Sequence, residues 1–358
     1  MTIKLLIVDD SALMRRQLTQ LFEAEGDFVV QQARNGKEAV EANLSFEPDV
    51  ISLDINMPEM DGLTALSYIM TARPTAVIMV SSLTEKGALA TFEALALGAV
   101  DYVAKPGGTI SLSIEDIRAD LIAKVRSAAK AKIKPKKGTA RTLSARIKEE
   151  QARKPPAPAF VRRSVGAAEG LVLIGVSTGG PGTLEGILPL LPVDFPFPVL
   201  VAQHMPGSFT GPFANRMNQM CALTVSEVSR PTDVLPGNIY IARGNSDMVL
   251  TMRTGKLMAV PKPESSEHLW HPSVEVLGRS ALEHCMAEQL IGVMLTGMGY
   301  DGADSFAEIK RRGGRTIAES EESSVVFGMP KELIERGGAK LVLPAEKIAN
   351  QLISWSRT

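Results

Sequence analysis

Cysteine is almost missing from this chain: only Cys221 and Cys285 occur in 358 residues. They lie far apart and without CxxC spacing, which excludes a disulfide framework and a thiolate metal cluster and points to a reducing compartment. Long hydrophobic runs are missing too. The apolar stretch Leu5–Val8 is far shorter than a secretory core and runs straight into Asp9 and Asp10, and nothing approaches the ~18 apolar residues of a membrane span. These absences predict a cytoplasmic protein with no membrane insertion. Neither charge is in excess: 39 basic residues face 40 acidic ones, a net charge of −1. Nothing global therefore argues for a nucleic-acid partner or a disordered polyanion.

At 358 residues the chain exceeds a typical single core and fits two domains of ordinary size. Up to about residue 126, strand and helix patterns alternate, with expected strands at 4–8, 28–33, 49–53, 77–80 and 100–104. That alternation predicts α/β architecture, a doubly wound parallel sheet with helices on both faces. Ser11 caps the first helix, whose apolar positions Leu13, Leu18, Leu21 and Phe22 recur at roughly helical spacing, and Gly26 ends it.

In such sheets the chemistry gathers beyond the carboxyl ends of the strands. Asp9 and Asp10 follow the first strand, Asp54 ends the third, Ser81 ends the fourth and Lys105 follows the fifth. Three carboxylates brought together repel one another unless a cation sits between them, and hard oxygen ligands select Mg²⁺. A metal there would organise an incoming phosphoryl group, leaving Asp54 as nucleophile, Ser81 as hydroxyl donor and Lys105 as the partner of the phosphate. An isolated Asp-Asp pair after a strand is ordinarily a helix N-cap; the ordered set at successive strand ends argues for more. On these residues, 1–126 resemble a two-component receiver domain. The resemblance implies that Asp54 is the phosphoacceptor, Asp9 and Asp10 are the metal-binding acidic pair, and Asn56 completes the metal shell through its carbonyl. It also makes Ser81 the switch hydroxyl, Tyr102 the switch aromatic and Lys105 the family's lysine.

Residues 127–168 read as a basic, proline-containing linker. Between Lys130 and Arg163 there are twelve Lys or Arg against only Glu149 and Glu150, with Pro135, Pro155, Pro156 and Pro158. A short helix over 142–151 would have no apolar stripe to bury. A solvated tether, contact with an acidic protein surface, and nonspecific nucleic-acid binding all fit; the last lacks stacking aromatics and a recognition helix.

Residues 169–358 alternate again, with expected strands at 171–176, 199–203, 239–242, 291–295 and 316–318, a second parallel-sheet α/β domain. Gly175-Val176-Ser177-Thr178-Gly179 satisfies G-x-S-x-G where a strand gives way to a helix, which exposes the Ser177 hydroxyl above the sheet. A glycine-rich turn at a helix start could instead cradle phosphate, although this one has no lysine. A serine needs a base, and the base needs an orienting group. Of only four histidines, His204 directly follows the strand 199–203, whereas His268, His271 and His284 fall in polar or helix-like segments. Asp301 sits in the glycine-rich run that follows the strand 291–295. Its glycines free amides for an oxyanion site, or else Asp301 merely caps the next helix. Asp304 is a rival carboxylate expected inside that helix.

Ser177, His204 in Gln-His-Met-Pro and Asp301 in Gly-Met-Gly-x-Asp-Gly, placed behind a receiver, resemble the chemotaxis protein-glutamate methylesterases, the CheB family, over nearly the whole chain except the linker. The resemblance implies a Ser177–His204–Asp301 triad with the Met298 amide as oxyanion donor and Thr178 in support. It also implies demethylation and deamidation of chemoreceptor glutamates and glutamines, with no cofactor for the esterase step. The partners it implies are methyl-accepting chemoreceptors as substrate and a chemotaxis histidine kinase as phosphodonor. The order Ser, His, Asp differs from that of α/β-hydrolases. Departures occur at Arg243, where Pro is common, at Asp247, where His often occurs, and at His271-Pro272-Ser273-Val274-Glu275, where Arg-Pro-Ser-Val-Asp is usual; they bear on substrate preference. The rival from another class is a response regulator whose second domain only binds partners. A DNA-binding output would need a recognition helix and a basic face that 169–358 lack.

Overall fold

A computed structural model describes residues 2–82, 84–105, 110–131 and 170–357. Of the expected linker, 127 and 128 belong to the helix that closes the N-terminal half, while 132–168, with the expected short helix, lie outside these residues.

The N-terminal half contains β1 (Ile3–Val8), α1 (Ala12–Glu23), β2 (Phe28–Ala33), α2 (Gly36–Ser45), β3 (Val50–Asp54), α3 (Gly62–Ala72), β4 (Ala76–Ser82), α4 (Glu85–Leu97), β5 (Asp101–Lys105) and α5 (Ile110–Ala128). Its five strands pair in parallel in the order β2-β1-β3-β4-β5. Strand β1 lies inside the sheet between β2 and β3, and its side chains alternate between two cores, Leu5 and Ile7 to one face and Leu6 and Val8 to the other. A strand buried on both faces reads as an unbroken apolar run. Ser11 caps α1 by accepting from the Met14 amide, and Met14, Leu18, Leu21 and Phe22 form its buried stripe. Leu13, expected in that stripe, faces solvent instead. Lys105 ends β5 rather than following it.

The C-terminal half contains β6 (Leu171–Val176), α6 (Gly180–Ile187), β7 (Val199–Gln203), α7 (Gly207–Met220), β8 (Thr224–Val228), β9 (Thr232–Asp233), β10 (Asn238–Ala242), β11 (Ser246–Arg253) and β12 (Lys256–Pro263). There follow α8 (Val274–His284), β13 (Leu290–Met294), α9 (Ala303–Arg311), β14 (Arg315–Glu319), α10 (Met329–Glu335), β15 (Leu341–Leu343) and α11 (Ala345–Trp355). Seven of these strands form one parallel sheet, β15-β14-β13-β6-β7-β10-β8. The chain leaves β6 towards β7 on one side and later returns with β13 on the other, so the sheet's topological switch lies at β6, where such folds open a crevice. Strands β8 and β15 and a separate antiparallel sheet, β11-β12-β9, were not expected.

The two halves share a core. Phe92 of α4 packs against Phe213 and Phe209 of α7, with ring centroids 5.5 and 6.1 Å apart. Tyr102 of β5 stacks on Phe209 at 4.7 Å, and these side chains join one apolar cluster with the inner faces of both sheets.

Candidate active site and phosphoacceptor site

The receiver half gathers its acidic side chains at the carboxyl edge. One ligand atom each from Asp9, Asp10 and Asp54 lies within 4.8 Å of the others, close enough to hold a metal ion. The Lys105 ammonium reaches Asp54 Oδ2 at 2.8 Å and Asp9 Oδ2 at 3.0 Å. Burial pushes the Asp54 carboxyl above its ordinary range, and the opposing pull of Lys105 does not cancel it. Burial also works against the Lys105 charge, but Asp54 and Asp9 outweigh it and hold the lysine above its ordinary value. Gly62 opens α3 against this edge, where a Cβ would stand 2.1 Å from the Asp54 carbonyl oxygen. The buried Ser81 hydroxyl donates to the Gly87 carbonyl at 3.2 Å, in the first turn of α4. Asn56 is exposed two residues beyond Asp54.

In the second half, Ser177, His204 and the loop 296–301 follow the adjacent strands β6, β7 and β13. Val176 is in register with Gln203, so Ser177 and His204 continue side by side; the His204 amide donates to the Val176 carbonyl at 3.1 Å. The Ser177 amide donates to the Thr296 carbonyl at 3.0 Å, tying the serine to the third strand end. The turn needs both glycines. Gly179 has φ of 77°, and a Cβ on Gly180 would stand 2.0 Å from Gln203 Oε1.

His204 is gripped on one side only. Its Nε2 lies 2.9 Å from Asp301 Oδ2, while its buried Nδ1 has no hydrogen-bond partner among the described residues. Asp301 itself is held by three further donors: the Val274 amide at 2.6 Å, the Ser273 hydroxyl at 2.9 Å and the Glu275 amide at 3.1 Å. Val274 and Glu275 open α8, so Asp301 is an anion seated at a helix N-terminus. Burial by itself would raise its pKa; the His204 hydrogen bond and charge and the two amides outweigh it and hold the carboxyl below its ordinary value. Asp301 therefore does not cap the helix that follows it, where Gly302 stands at the N-cap with no side-chain capping bond; its carboxylate serves His204 and the start of α8 instead. The rival Asp304 lies within α9, largely exposed and paired with Arg336 at 2.8 Å.

Several contributors were not anticipated from sequence. Gln203, buried, donates from one amide nitrogen to the carbonyls of Ser177 at 3.0 Å and His204 at 3.1 Å, bridging the two segments. Ser273 caps α8 while donating to Asp301. Its signal, a serine before an apolar helical run, was visible; its second task was not. Asp247 and His271, two departures from the family pattern, are partners: Asp247 Oδ1 lies 2.9 Å from His271 Nδ1 and accepts from the Ser273 amide at 2.7 Å. Thr178, next to the nucleophile, donates its hydroxyl to Asp101 Oδ2 of the receiver at 2.8 Å, both side chains buried. Burial pushes the Asp101 carboxyl upward. Lys124 stands 3.8 Å from it and donates to the Tyr102 carbonyl at 2.9 Å.

A receiver joined to a parallel-sheet α/β domain with Ser, His and Asp at adjacent strand ends defines a response regulator with an enzymatic output domain. Family comparison sharpens this. Residues 172–352 match the family described as CheB methylesterase and residues 5–114 the response regulator receiver domain. The chain is 57% identical over 360 residues to protein-glutamate methylesterase/protein-glutamine glutaminase 3 of Rhodospirillum rubrum, covering 99% of this chain and 97% of that one. It is 49% identical over 362 residues to protein-glutamate methylesterase/protein-glutamine glutaminase 2 of Rhodopseudomonas palustris, covering 99% and 98%. Among solved structures, the Thermotoga maritima CheB methylesterase catalytic domain is similar with a TM-score of 0.50 and 42% identity, over 52% of this chain and 98% of that domain. The chain belongs to the CheB methylesterase family.

Proposed function

We propose that this chain is a phosphorylation-activated protein-glutamate methylesterase that also deamidates glutamine, acting on methyl-accepting chemoreceptors, with residues 1–126 as receiver, 127–168 as linker and 169–358 as catalytic domain. The observation that carries the catalytic reading is the asymmetric grip on His204. Asp301 holds Nε2 and leaves Nδ1 free as a proton acceptor beside the Ser177 turn. Ser177 Oγ attacks the γ-carbonyl of a glutamyl methyl ester as His204 Nδ1 takes its proton. The oxyanion forms against backbone amides, with Met298 as the donor and Thr178 beside it. The proton returns to the leaving group, methanol departs, and water attacks the acyl-enzyme with the same histidine as base. Asp301 stabilises the imidazolium in both halves, and the chemistry requires no cofactor.

In the receiver, Asp9, Asp10, Asp54 and the Asn56 carbonyl would hold Mg²⁺, whose charge supports phosphoryl transfer from a histidine kinase to Asp54. The added phosphate charge competes for Lys105 and for the Ser81 hydroxyl, now given to Gly87. Since α4 and β5 carry Phe92, Asp101 and Tyr102 against the catalytic half, movement there loosens the docked receiver and opens the serine site. No helix among the described residues is long and apolar enough to cross a membrane; the proposed phosphodonor and substrate would have the chain act in the cytoplasm.

Methanol release from methylated receptor membranes, with and without Mg²⁺ and a small-molecule phosphodonor, tests both halves. Release should rise with phosphodonor and vanish in Ser177→Ala. Release persisting in that variant refutes the triad.

A further inference from the structure

The catalytic imidazole has one hydrogen-bonded edge, and one hydrogen bond leaves a ring free to swing out of plane. The structure supplies a second restraint. The Trp270 indole lies parallel to the His204 ring, with an interplanar angle of 4° and centroids 6.0 Å apart, within the range of offset stacking. The same indole touches the oxyanion loop. A Cβ on Gly299 would stand 2.7 Å from Trp270 Cζ2, and Gly299 has φ of 89°, so the loop passes the ring where no side chain fits. Tyr300 meets the indole edge-on at 5.1 Å and 88°. Trp270 is itself anchored through its neighbour His271, whose ring nitrogens lie 2.9 Å from Asp247 Oδ1 and 3.2 Å from the His268 carbonyl.

We propose that Trp270 is a positioning residue that registers the His204 imidazole against the Gly297–Gly299 loop, keeping the base nitrogen and the oxyanion donors in one fixed geometry. The stack has a second consequence. When His204 becomes imidazolium during turnover, its charge forms above an aromatic face, which favours the charged ring over the neutral one. The restraint therefore acts most strongly where the reaction needs it.

This inference rests on His204 being the base, so the test separates the two claims. Full-length protein, activated with phosphodonor and Mg²⁺, is assayed for methanol release from methylated receptor membranes. Trp270→Ala should lower kcat about 10- to 100-fold, the scale of a misplaced catalytic group, with KM changed less than about 3-fold. Trp270→Phe keeps an aromatic face and should recover most of the loss. A kcat in Trp270→Ala within about 2-fold of the parent, or a folded Trp270→Phe no better than Trp270→Ala, overturns the proposal. Ser177→Ala is assayed alongside: if it still releases methanol, the triad assignment has failed rather than the stack.

A second readout needs no activity. The chain has two tryptophans, so Trp355→Phe leaves Trp270 as the only indole. A stacked imidazole quenches indole emission, and adding His204→Gln should raise it. Unchanged emission means that the rings do not stack in solution and overturns the proposal, even if Trp270→Ala fails to fold.

Discussion

Asp54 and Asp301 are both buried carboxylates at the carboxyl edge of a parallel sheet, yet their surroundings push them in opposite directions. Asp54 has Lys105 and its neighbouring Ile55 amide on one side of the balance, and burial and the charge of Asp9 on the other; its pKa is raised. Asp301 has His204, a hydroxyl and two amides of a helix's first turn, and its pKa is lowered. Burial alone therefore does not decide what a buried acid does. The number and kind of donors aimed at it decide. A crowded acidic group short of donors is ready for a divalent cation and a phosphoryl group. A carboxylate saturated with donors is a fixed charge suited to orienting a base.

The comparison breaks most visibly at Asp301. Asp301→Asn keeps the shape but not the charge, and should lower methanol release about 10⁴-fold by analogy with the loss of the orienting acid in serine hydrolases. Phosphorylation of Asp54, followed with radiolabelled phosphodonor, should proceed as before. A loss of both activities would mean that the two sites are not separate.

A smaller effect is expected where the regions touch. Asp101→Asn keeps an acceptor for Thr178 but removes the charge, weakening a bond of the charged class, which contributes ~1.5 kcal/mol or more. Methanol release without phosphodonor should rise about tenfold if that whole contribution holds the receiver closed. Unchanged basal release would mean that the Asp101–Thr178 bond does not gate the site.

The smallest effect is on stability and its pH dependence. Because the Asp301 pKa is lowered on folding, its ionised form stabilises the native state above the ordinary carboxylate value of ~3.9, and this contribution is lost as pH falls through the lower folded value. The melting temperature of Asp301→Asn should lie a few degrees below the parent at pH 7. The gap should close only in strongly acid solution; a gap that stays unchanged there would mean that the Asp301 charge is not its source.

Much of this was legible in the sequence because it is local. Buried central strands read as apolar runs, Ser11 announced a helix, and the sheet rule sent Asp54, Ser177, His204 and Asp301 to strand ends. Lys105, expected just beyond β5, is its last residue, and β13 ends at Met294 rather than Leu295, because pairing with neighbours, not composition, sets strand ends. The β11–β12 hairpin did leave a mark. Thr254 and Gly255, both with positive φ, form a two-residue turn between strands. The Gln203 bridge, the Trp270 stack and the Asp101–Thr178 bond left none, since each joins residues that only the completed fold brings together.

Gly180 and Gln203 carry a consequence for any graft of the site. The glutamine amide occupies the space that a side chain at 180 would fill, and that amide spans the backbone beside both nucleophile and base. A larger residue at 180 would displace Gln203, and losing Gln203 would relieve the tighter of two contacts, Val176 Cγ2 at 2.6 Å being the other. A transplant of this serine motif onto another sheet would have to carry the glutamine with it, since its amide joins the backbone of nucleophile and base.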